Sequence, residues 1–469
     1  MPPQILADAP GLLALSALLL LPGALIVRAP WTAVPFLSVS FWIVTWWWLP
    51  GAGREGFLRA ALLAFLVTVS LRLLKPLGLR PPRLPAMLVA VAALARLTPF
   101  FLWPVAPGAD MSFHALSALL MVWRDGPPVT YEPLLPLHTF GAYPPGLHAL
   151  AADVALLSGM AAHRAVFLVA LAAQGLLHVA AFAFLKRFLA VPSAGWAACF
   201  AVGLARLPTA LLGLGEGTSV LALALVLAAS AHLIRGSDRS PAVAAGLFLG
   251  AAMVTHPPLM GAGALALGLA LRPWRRDRRG HRSRLGLAAL VALLAAGPFL
   301  LRLPLASLGR ARWLHRVGAL DLALPALALA VASALAYLID RLMRGGALAA
   351  RLTLLLLAVA ACEGARRDAL VEPRLVAGED LAAMAWIREN TRPLDLICNR
   401  ARPAGFWIPA LAGRAVREPW LPLLYRDDPE ARPRGPCAYT YGAGPLDPAA
   451  RPLFRSGPVV VLEGEIAGP

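Results

Sequence analysis

Polar side chains that could take part in catalysis are concentrated in residues 105–148, directly after an apolar run. Asp110 follows a Pro-Gly pair, and His114 lies four residues further on. Side chains four residues apart share one face of a helix, so both should point to the same side of the helix predicted from Ser112. A carboxylate there can act as a general base that takes the proton of an attacking hydroxyl or amide.

Structural roles compete with catalysis at both positions. Asp110 and Ser112 are each suitable residue types for capping the N-terminus of the following helix, because their side-chain oxygens can accept a backbone N–H. A single histidine on an otherwise apolar helix, such as His114, is often an ordinary interfacial side chain. Both interpretations of Asp110 and His114 stay open at this stage.

Further candidates for substrate binding lie downstream. Tyr143 and His148 belong to a segment rich in aromatic and turn residues, TFGAYPPGLH, at 139–148. Glu216 is flanked by glycines at the predicted start of a helix, where it could serve the site or cap the helix. His256 precedes two prolines and could equally belong to a turn.

Arginines between two apolar runs could bind a leaving phosphate. The guanidinium group suits phosphate because it forms two parallel hydrogen bonds. Arg312 and Arg316 are the preferred candidates, in a stretch that also contains Arg302, Arg310 and His315. The alternative is that each is an ordinary solvated charge at the membrane surface.

The composition shows which scaffold must position these residues. The chain has 469 residues, of which 59% are hydrophobic and 14% charged, and its mean hydropathy is +0.69. Soluble domains carry about 25% charged residues, and the apolar runs approach the roughly 20 residues needed to cross a bilayer. A soluble protein is excluded. The net charge of +18 does not indicate nucleic-acid binding, because the arginines cluster between apolar runs and act as topology signals.

About 12 transmembrane helices are predicted from the apolar runs. The N-terminal run is interpreted as a retained helix and not as a signal peptide, because no basic residue precedes it. The candidate spans are 10–27, 32–49, 57–74, 84–104, 163–185, 193–212, 217–234, 241–255, 258–271, 285–303, 319–339 and 347–361.

Arginine distribution sets the orientation. Residues 272–284 contain seven arginines and are expected in the cytoplasm. Counting spans from there places 105–162 and 363–469 outside. The count requires that 144–160 does not cross the membrane, so we expect a second short helix at the interface in that segment.

The C-terminal region, 363–469, is expected to form a small extracytoplasmic α/β unit. Apolar residues at helical spacing predict a helix over 380–390, and strands are predicted at 394–398 and 459–462. Cys398 and Cys437 fall in this region. Two unpaired thiols are the expectation, with a disulfide as the alternative if the region lies outside the cell.

The loop motif resembles a known family. The order Gly108-x-Asp110-x-x-x-His114, a short helix, a Gly-Pro turn, and then Tyr143-Pro-Pro-Gly-x-His148 is similar to the first external loop of the GT-C class of membrane glycosyltransferases. Residues 386–391 and 407–414 also resemble the external C-terminal part of bacterial relatives of the protein mannosyltransferase and aminoarabinose transferase type.

This resemblance implies a GT-C-like fold, with two short loop helices along the membrane surface. It also implies a polyprenyl-phosphate-linked sugar as donor and Asp110 as catalytic base. Many members have two adjacent acids in the loop, whereas Ala109 precedes Asp110 here. Only Asp110, Glu132 and Glu216 are obvious oxygen ligands, so no metal or other cofactor is expected.

The favoured hypothesis is an integral-membrane glycosyltransferase that transfers sugar, with inversion, from the lipid donor to an extracytoplasmic glycan, lipid or protein. A lipid or polysaccharide transporter and a non-catalytic assembly factor of the same fold are the alternatives. The arginine-rich composition suggests a bacterium, and hence its inner membrane. The expected units are N-terminal helices at 1–104, the catalytic-type loop at 105–162, further helices at 163–362 and the C-terminal region at 363–469.

Overall fold

A computed structural model gives the architecture of most of the helical core and of the C-terminal region. Predicted spans 193–212, 258–271, 319–339 and 347–361 lie almost wholly outside the described residues, as do Arg312 and Arg316. The structure describes residues 3–25, 30–50, 53–73, 91, 93–188, 195, 202, 216–234, 239–257, 259, 278–302, 341, 352, 355, 359, 363, 375–399, 403–422, 425–426, 428–443 and 452–464.

Four helices are described before the polar loop. The first begins earlier than the sequence predicted and ends at Leu20, before a 3-10 turn over Gly23–Leu25. The second and third fall close to the predicted spans. These helices are α1 (Pro3–Leu20), α2 (Val34–Trp48), α3 (Arg54–Leu73) and the short α4 (Thr98–Leu102).

The polar loop contains two helices, α5 (Asp110–Arg124) and α6 (Gly146–Ser158). The 13 residues of α6 span only about 20 Å, less than the roughly 30 Å hydrocarbon core. This length agrees with the prediction that 144–160 does not cross the membrane. However, α6 does not lie exposed on a surface, because α1, α2, α5 and the following helix enclose it.

Four long helices follow: α7 (Ala162–Phe188), α8 (Gly217–Ile234), α9 (Arg239–Thr255) and α10 (Arg278–Arg302). In the described part of the chain, three helical segments are long and apolar enough to cross a membrane: Ala162–Phe188, Gly217–Ile234 and Ser283–Arg302. The first two are enclosed by protein, whereas the third is mostly exposed. These helices are typical of a membrane protein, and the leucines of α10 that are exposed, Leu290, Leu293 and Leu294, would suit contact with lipid.

Small residues bring α9 and α10 close together. A Cβ added at Gly250 would lie 2.6 Å from the Cβ of Ala295, and one at Gly246 would lie 2.6 Å from the carbonyl oxygen of Ala288. Membrane helices associate through such small residues because water supplies no hydrophobic driving force inside the bilayer. Larger side chains at either glycine would separate the two helices.

A buried ion pair joins α3 to α6. The guanidinium of Arg54 donates from Nε to Oδ1 of Asp153 at 2.8 Å and from Nη2 to Oδ2 at 2.7 Å. The indole of Trp46 donates to Oδ1 at 2.8 Å. The side chains of Arg54 and Asp153 are 4% and 0% exposed, so each charge depends on the other for its solvation.

A second buried pair lies at the same end of the helical core. Arg164, near the start of α7, donates to Oδ2 of Asp8 at 2.6 Å and to the carbonyl of Trp103 at 2.6 Å. Its guanidinium also lies 3.8 Å from the centre of the Phe100 ring. These residues all belong to the side that the arginine count places outside the cell.

The C-terminal region has the predicted mixture of helix and strand. The sheet of this region has the strand order β1-β2-β4-β3, and the helix α11 (Gly378–Asn390) packs on β3 and β4. The β1–β2 pair is parallel and the other pairs are antiparallel. The other elements are α12 (Ile408–Ala412), β1 (Ile397–Cys398), β2 (Tyr439–Ala443), β3 (Pro452–Ser456) and β4 (Val459–Glu463).

The expectation of two unpaired thiols in this region is wrong. Cys398 and Cys437 form a disulfide across a sequence separation of 39 residues. Cys398 is the last residue of β1, and Cys437 lies just before β2. The strands β1 and β2 are parallel neighbours in the sheet. The pairing of these strands brings the two thiols together, and no local sequence pattern encodes that proximity.

Replacing Arg54 by methionine should strongly destabilise the protein, because Asp153 would remain buried without its partner. Loss of one member of a buried pair costs on the order of 3 to 5 kcal/mol. Thermal unfolding in detergent, followed by fluorescence, measures the effect. Arg59→Met on the same helix is the control, since Arg59 and Glu55 form an exposed pair worth at most about 1 kcal/mol. Equal effects of the two changes would contradict the role of the buried pair.

Cys398 and Cys437 should resist alkylation in the denatured chain until a reductant is added. In the Cys398→Ser variant, Cys437 should react without reductant. A disulfide that closes a loop of this length lowers the conformational entropy of the unfolded chain. This effect should stabilise the C-terminal region by about 4 kcal/mol. Mass spectrometry of alkylated peptides provides the measurement, and full alkylation of the unmutated chain without reductant would contradict the pairing.

Candidate functional site

Asp110 is the first residue of α5, near the start of the polar loop. The N-cap position belongs to Ala109, which makes no side-chain cap hydrogen bond. The hydroxyl of Ser112 instead donates back to the carbonyl of Ala109 at 2.7 Å. The capping alternative for Asp110 and Ser112 is therefore wrong. The carboxylate lies beside the positive end of the α5 dipole.

The C-terminal region supplies the hydrogen-bond partner of Asp110. The indole Nε1 of Trp420 donates to Oδ1 of Asp110. Burial raises the pKa of Asp110 to about 6, the Trp420 bond opposes this rise, and the negative charge of Glu216 adds to it. Asp110 therefore changes protonation near neutral pH, where a general base is most effective.

Glu216 directly precedes α8 and contacts its first turn. Its backbone carbonyl accepts the N–H of Val220 at 3.2 Å, which begins the helix. Its carboxylate accepts the hydroxyl of Ser219 at 2.5 Å. Its charge also raises the pKa of Asp110 and of Tyr143, so the structure brings Glu216 into the same site.

His114 and His148 form a buried pair that joins α5 to α6. Nδ1 of His114 and Nε2 of His148 lie 2.6 Å apart, within hydrogen-bond distance. Burial, followed by the neighbouring His114, holds the pKa of His148 well below its usual range. His148 is therefore neutral at pH 7, and the hydrogen bond fixes the tautomers of the two rings relative to each other.

Aromatic rings enclose this pair. The ring of Tyr143 lies 5.6 Å from that of His114 and 5.9 Å from that of His148, measured between centroids. Phe113 contacts Tyr143 edge-on at 5.5 Å. Burial, and then the charges of Asp110 and Glu216, raise the pKa of Tyr143, so its phenol stays protonated and can only donate or accept hydrogen bonds.

The structure favours the turn role for His256. Its Nδ1 accepts the backbone N–H of Leu259 at 3.3 Å, just after α9 ends. The neighbouring Thr255 packs tightly against Gly146, where an added Cβ would lie 2.2 Å from the threonine hydroxyl oxygen. His256 thus lies at the edge of the loop, where the first turn of α6 meets α9.

Other candidates lie away from Asp110 or beyond the described residues. Glu132 is exposed and contacts His138, with 3.5 Å between Oε1 and Nδ1. Arg302 ends α10 and places its guanidinium 5.6 Å from the centre of the Trp47 ring. Arg312 and Arg316, the predicted phosphate ligands, fall outside the part of the chain that the structure describes.

The described residues offer few oxygen ligands for a metal ion at this site. Divalent cations such as Mg²⁺ prefer several oxygen ligands. Asp110 and Glu216 are the two carboxylates brought together here. Among the described residues, no three histidines, cysteines or acids form a group that could hold a metal.

Two aromatic residues of the site were not predicted from local spacing. Trp420 bonds to Asp110, and Tyr425 donates from its hydroxyl to the carbonyl of Thr139 at 3.5 Å. The ring of Tyr425 also lies 6.2 Å from that of Phe113. Both come from the C-terminal region, and nothing in the sequence around them indicates which loop they contact.

Two buried histidines of the long helices are hydrogen-bonded to their own helix. Nδ1 of His178 lies 2.8 Å from the carbonyl oxygen of Gln174, and Nδ1 of His232 lies 2.9 Å from that of Ala228. His232 also packs edge-on against Phe248 at 5.4 Å. Both rings bond to their own helix one turn earlier.

Comparison with known proteins identifies the fold. The chain superposes on ArnT from Cupriavidus metallidurans, solved bound to undecaprenyl phosphate, with a TM-score of 0.53 and 12% identity, over 82% of this chain and 99% of ArnT. The chain has a GT-C-type fold. At this identity the likeness establishes the fold alone. The family predicted from the loop motif is thereby confirmed at the level of fold.

A second GT-C protein gives a weaker superposition. The oligosaccharyltransferase from Archaeoglobus fulgidus, solved in the apo form, has a TM-score of 0.48 and 14% identity, over 71% of this chain and 64% of its own. No protein-family model matches the sequence, and no curated protein matches it.

Replacing Asp110 by asparagine should stabilise the protein at pH 8 and have little effect at pH 4. The pKa is about 6 in the folded state, against 3.8 for an aspartate free of these interactions. The stabilising contribution of protonation is therefore complete below pH 3.8 and lost as the pH rises through about 6. Asparagine does not titrate.

Thermal unfolding of both proteins between pH 4 and pH 8 tests this. The difference in midpoint, variant minus unmutated, should grow as the pH rises. The Glu132→Gln variant is the control, because that carboxylate is exposed in the same loop. A difference for Asp110→Asn that shrinks with rising pH would contradict the assigned environment.

Proposed function

We propose that this GT-C-type protein is a glycosyltransferase that moves a sugar from a polyprenyl-phosphate donor to an acceptor outside the cytoplasm. The observation that carries the proposal is the environment of Asp110. This carboxylate lies at a helix start, holds a single hydrogen bond from a neutral side chain, and has its pKa raised to about 6. The undecaprenyl phosphate bound to ArnT supports a lipid phosphate as the donor's carrier.

In the proposed reaction Asp110 accepts the proton of the acceptor's hydroxyl or amide. The freed electron pair attacks the anomeric carbon of the sugar, and the bond from that carbon to the phosphate oxygen breaks. The phosphate leaves with the bonding electrons. Attack from the side opposite the leaving group inverts the configuration at that carbon.

The neighbouring residues have distinct roles in this proposal. Tyr143 and the His114–His148 pair shape the wall of the site, because their hydrogen bonds and ring contacts fix their positions. Glu216 raises the basicity of Asp110 by its charge and can accept hydroxyls of the sugar. Arg312 and Arg316 are proposed to bind the leaving phosphate, and His256 to support the edge of the site.

The proposed location is the outer face of a bacterial inner membrane. Two observations support it. The contacts of Asp8, Arg54 and Asp110 lie on the side that the arginine count places outside. The Cys398–Cys437 disulfide is typical of an oxidising compartment. The C-terminal region, which contacts Asp110, would then be extracytoplasmic.

Asp110→Asn should reduce sugar transfer by a factor of roughly 10² to 10⁴, since the change removes the base but keeps a similar shape. Transfer of radiolabelled sugars from undecaprenyl-phosphate donors to membrane acceptors gives the rate. Glu132→Gln, a matched loss of a carboxylate from the same loop, should leave the rate unchanged. Near-normal transfer by Asp110→Asn would contradict the mechanism.

A lipid-binding measurement shows whether the Asp110→Asn variant has lost catalysis or has lost binding of the donor lipid. Undecaprenyl phosphate should raise the unfolding temperature of the unmutated protein and of Asp110→Asn alike, because a ligand stabilises the state that binds it. Stabilisation without transfer by the unmutated protein, for every donor tested, would instead favour a transporter or a non-catalytic assembly factor.

A further inference from the structure

Trp420 belongs to the C-terminal region and lies 310 positions after Asp110 in the sequence, yet its indole N–H donates to Oδ1 of that residue. We propose that Trp420 is a positioning residue that holds one oxygen of Asp110 and directs the other, Oδ2, towards the acceptor. This proposal rests on the proposed role of Asp110 as base. It assigns part of the site to the C-terminal region.

The backbone before Trp420 is held firmly against the sheet. Asn399, which follows β1, donates to the carbonyl of Glu418 at 2.9 Å and accepts the N–H of Glu418 at 3.0 Å. Arg417 donates its backbone N–H to Ile397 at 3.0 Å. Trp420 therefore extends from a segment whose main chain is fixed two residues earlier.

The indole ring packs on a ring of the C-terminal region, and a nearby tyrosine of the same region contacts the loop. The ring of Phe406 lies 5.5 Å from that of Trp420. Tyr425, five residues after Trp420, bonds to Thr139 and packs against Phe113 in the polar loop. The indole is thus held between the sheet and the loop that carries Asp110. A positioned catalytic group requires this kind of support.

The chemistry of the indole suits positioning and excludes a role as base. The indole N–H is a donor with no acceptor capacity, and it carries no charge. It therefore cannot take the acceptor's proton or compete with Asp110 for it. Within the described residues, Oδ2 of Asp110 has no hydrogen-bond partner, so this oxygen is available to the acceptor.

Two other titratable groups face Asp110, namely Glu216 and Tyr143. Burial and the charge of Glu216 both raise the pKa of Asp110, and the Trp420 bond opposes them. Loss of the indole N–H should therefore move the pKa of Asp110 above about 6. Each unit of increase lowers the deprotonated fraction about tenfold at pH values well below the pKa.

The first test does not depend on activity. The protein is labelled with 5-fluorotryptophan, and the Trp420→Phe variant identifies the fluorine resonance of Trp420. That resonance should shift with a midpoint near pH 6 in the unmutated protein and should not titrate in Asp110→Asn. Trp386, which stacks on Phe454 in the same region, is the control whose resonance should stay constant. The proposal would be overturned if the Trp420 chemical shift did not change with pH, or if it changed equally in Asp110→Asn.

The second test uses sugar transfer from undecaprenyl-phosphate donors as a function of pH. Trp420→Phe should shift the acidic limb of the profile to higher pH, whereas Trp420→His, which keeps a ring N–H, should restore part of the shift. Trp386→Phe should leave the profile unchanged. An unshifted limb in Trp420→Phe would overturn the positioning role.

The two tests together distinguish failure of the proposed function from failure of the positioning role of Trp420. Titration of Trp420 together with no transfer by the unmutated protein would overturn the proposed function, and with it any catalytic role for Trp420. Normal transfer with a Trp420 resonance that does not report Asp110 would overturn the positioning role and leave the proposed function standing.

Discussion

The buried pair of Arg54 and Asp153 is the constraint on which the site depends. Neither charge can be left alone in a dry interior, so α3 and α6 have one relative position. Asp125, at the end of α5, accepts the backbone N–H groups of Arg54 and Glu55 at the start of α3. His148 on α6 then bonds to His114 on α5. The three helices therefore form a closed ring of polar contacts, and the first residue of α5 is Asp110.

Two aspartates in the polar loop have different environments, which suit a structural role for one and the proposed catalytic role for the other. Asp153 receives three donors, two of them from a cationic guanidinium, and is fully buried. Asp110 receives one donor from a neutral indole. Both oxygens of Asp153 are occupied by these donors, whereas Oδ2 of Asp110 has no hydrogen-bond partner among the described residues. This unbonded oxygen, together with the burial that raises the pKa of Asp110 to about 6, supports Asp110 as the proposed base.

The sequence predicted what local patterns encode. Apolar periodicity located α8 over 217–234 and the helix of the C-terminal region, and the loop motif indicated the GT-C fold. Local patterns could not reveal contacts between distant segments. Arg54 and Asp153 are separated by 99 positions, and Trp420 meets Asp110 across 310. Cys398 and Cys437 were wrongly predicted to be unpaired for the same reason, because their disulfide follows from the β1–β2 pairing in the sheet.

The distance in sequence between Asp110 and Trp420 has a consequence for biogenesis. A ribosome delivers the polar loop long before the C-terminal region, so the ring of α3, α5 and α6 can assemble around an aspartate that still lacks its indole partner. The contact between Trp420 and Asp110 can form only after the C-terminal sheet has folded, because hydrogen bonds to Ile397 and Asn399 hold the segment that precedes Trp420. With the proposed topology and the proposed role of Asp110, maturation of the base would be coupled to export and folding of the last part of the chain.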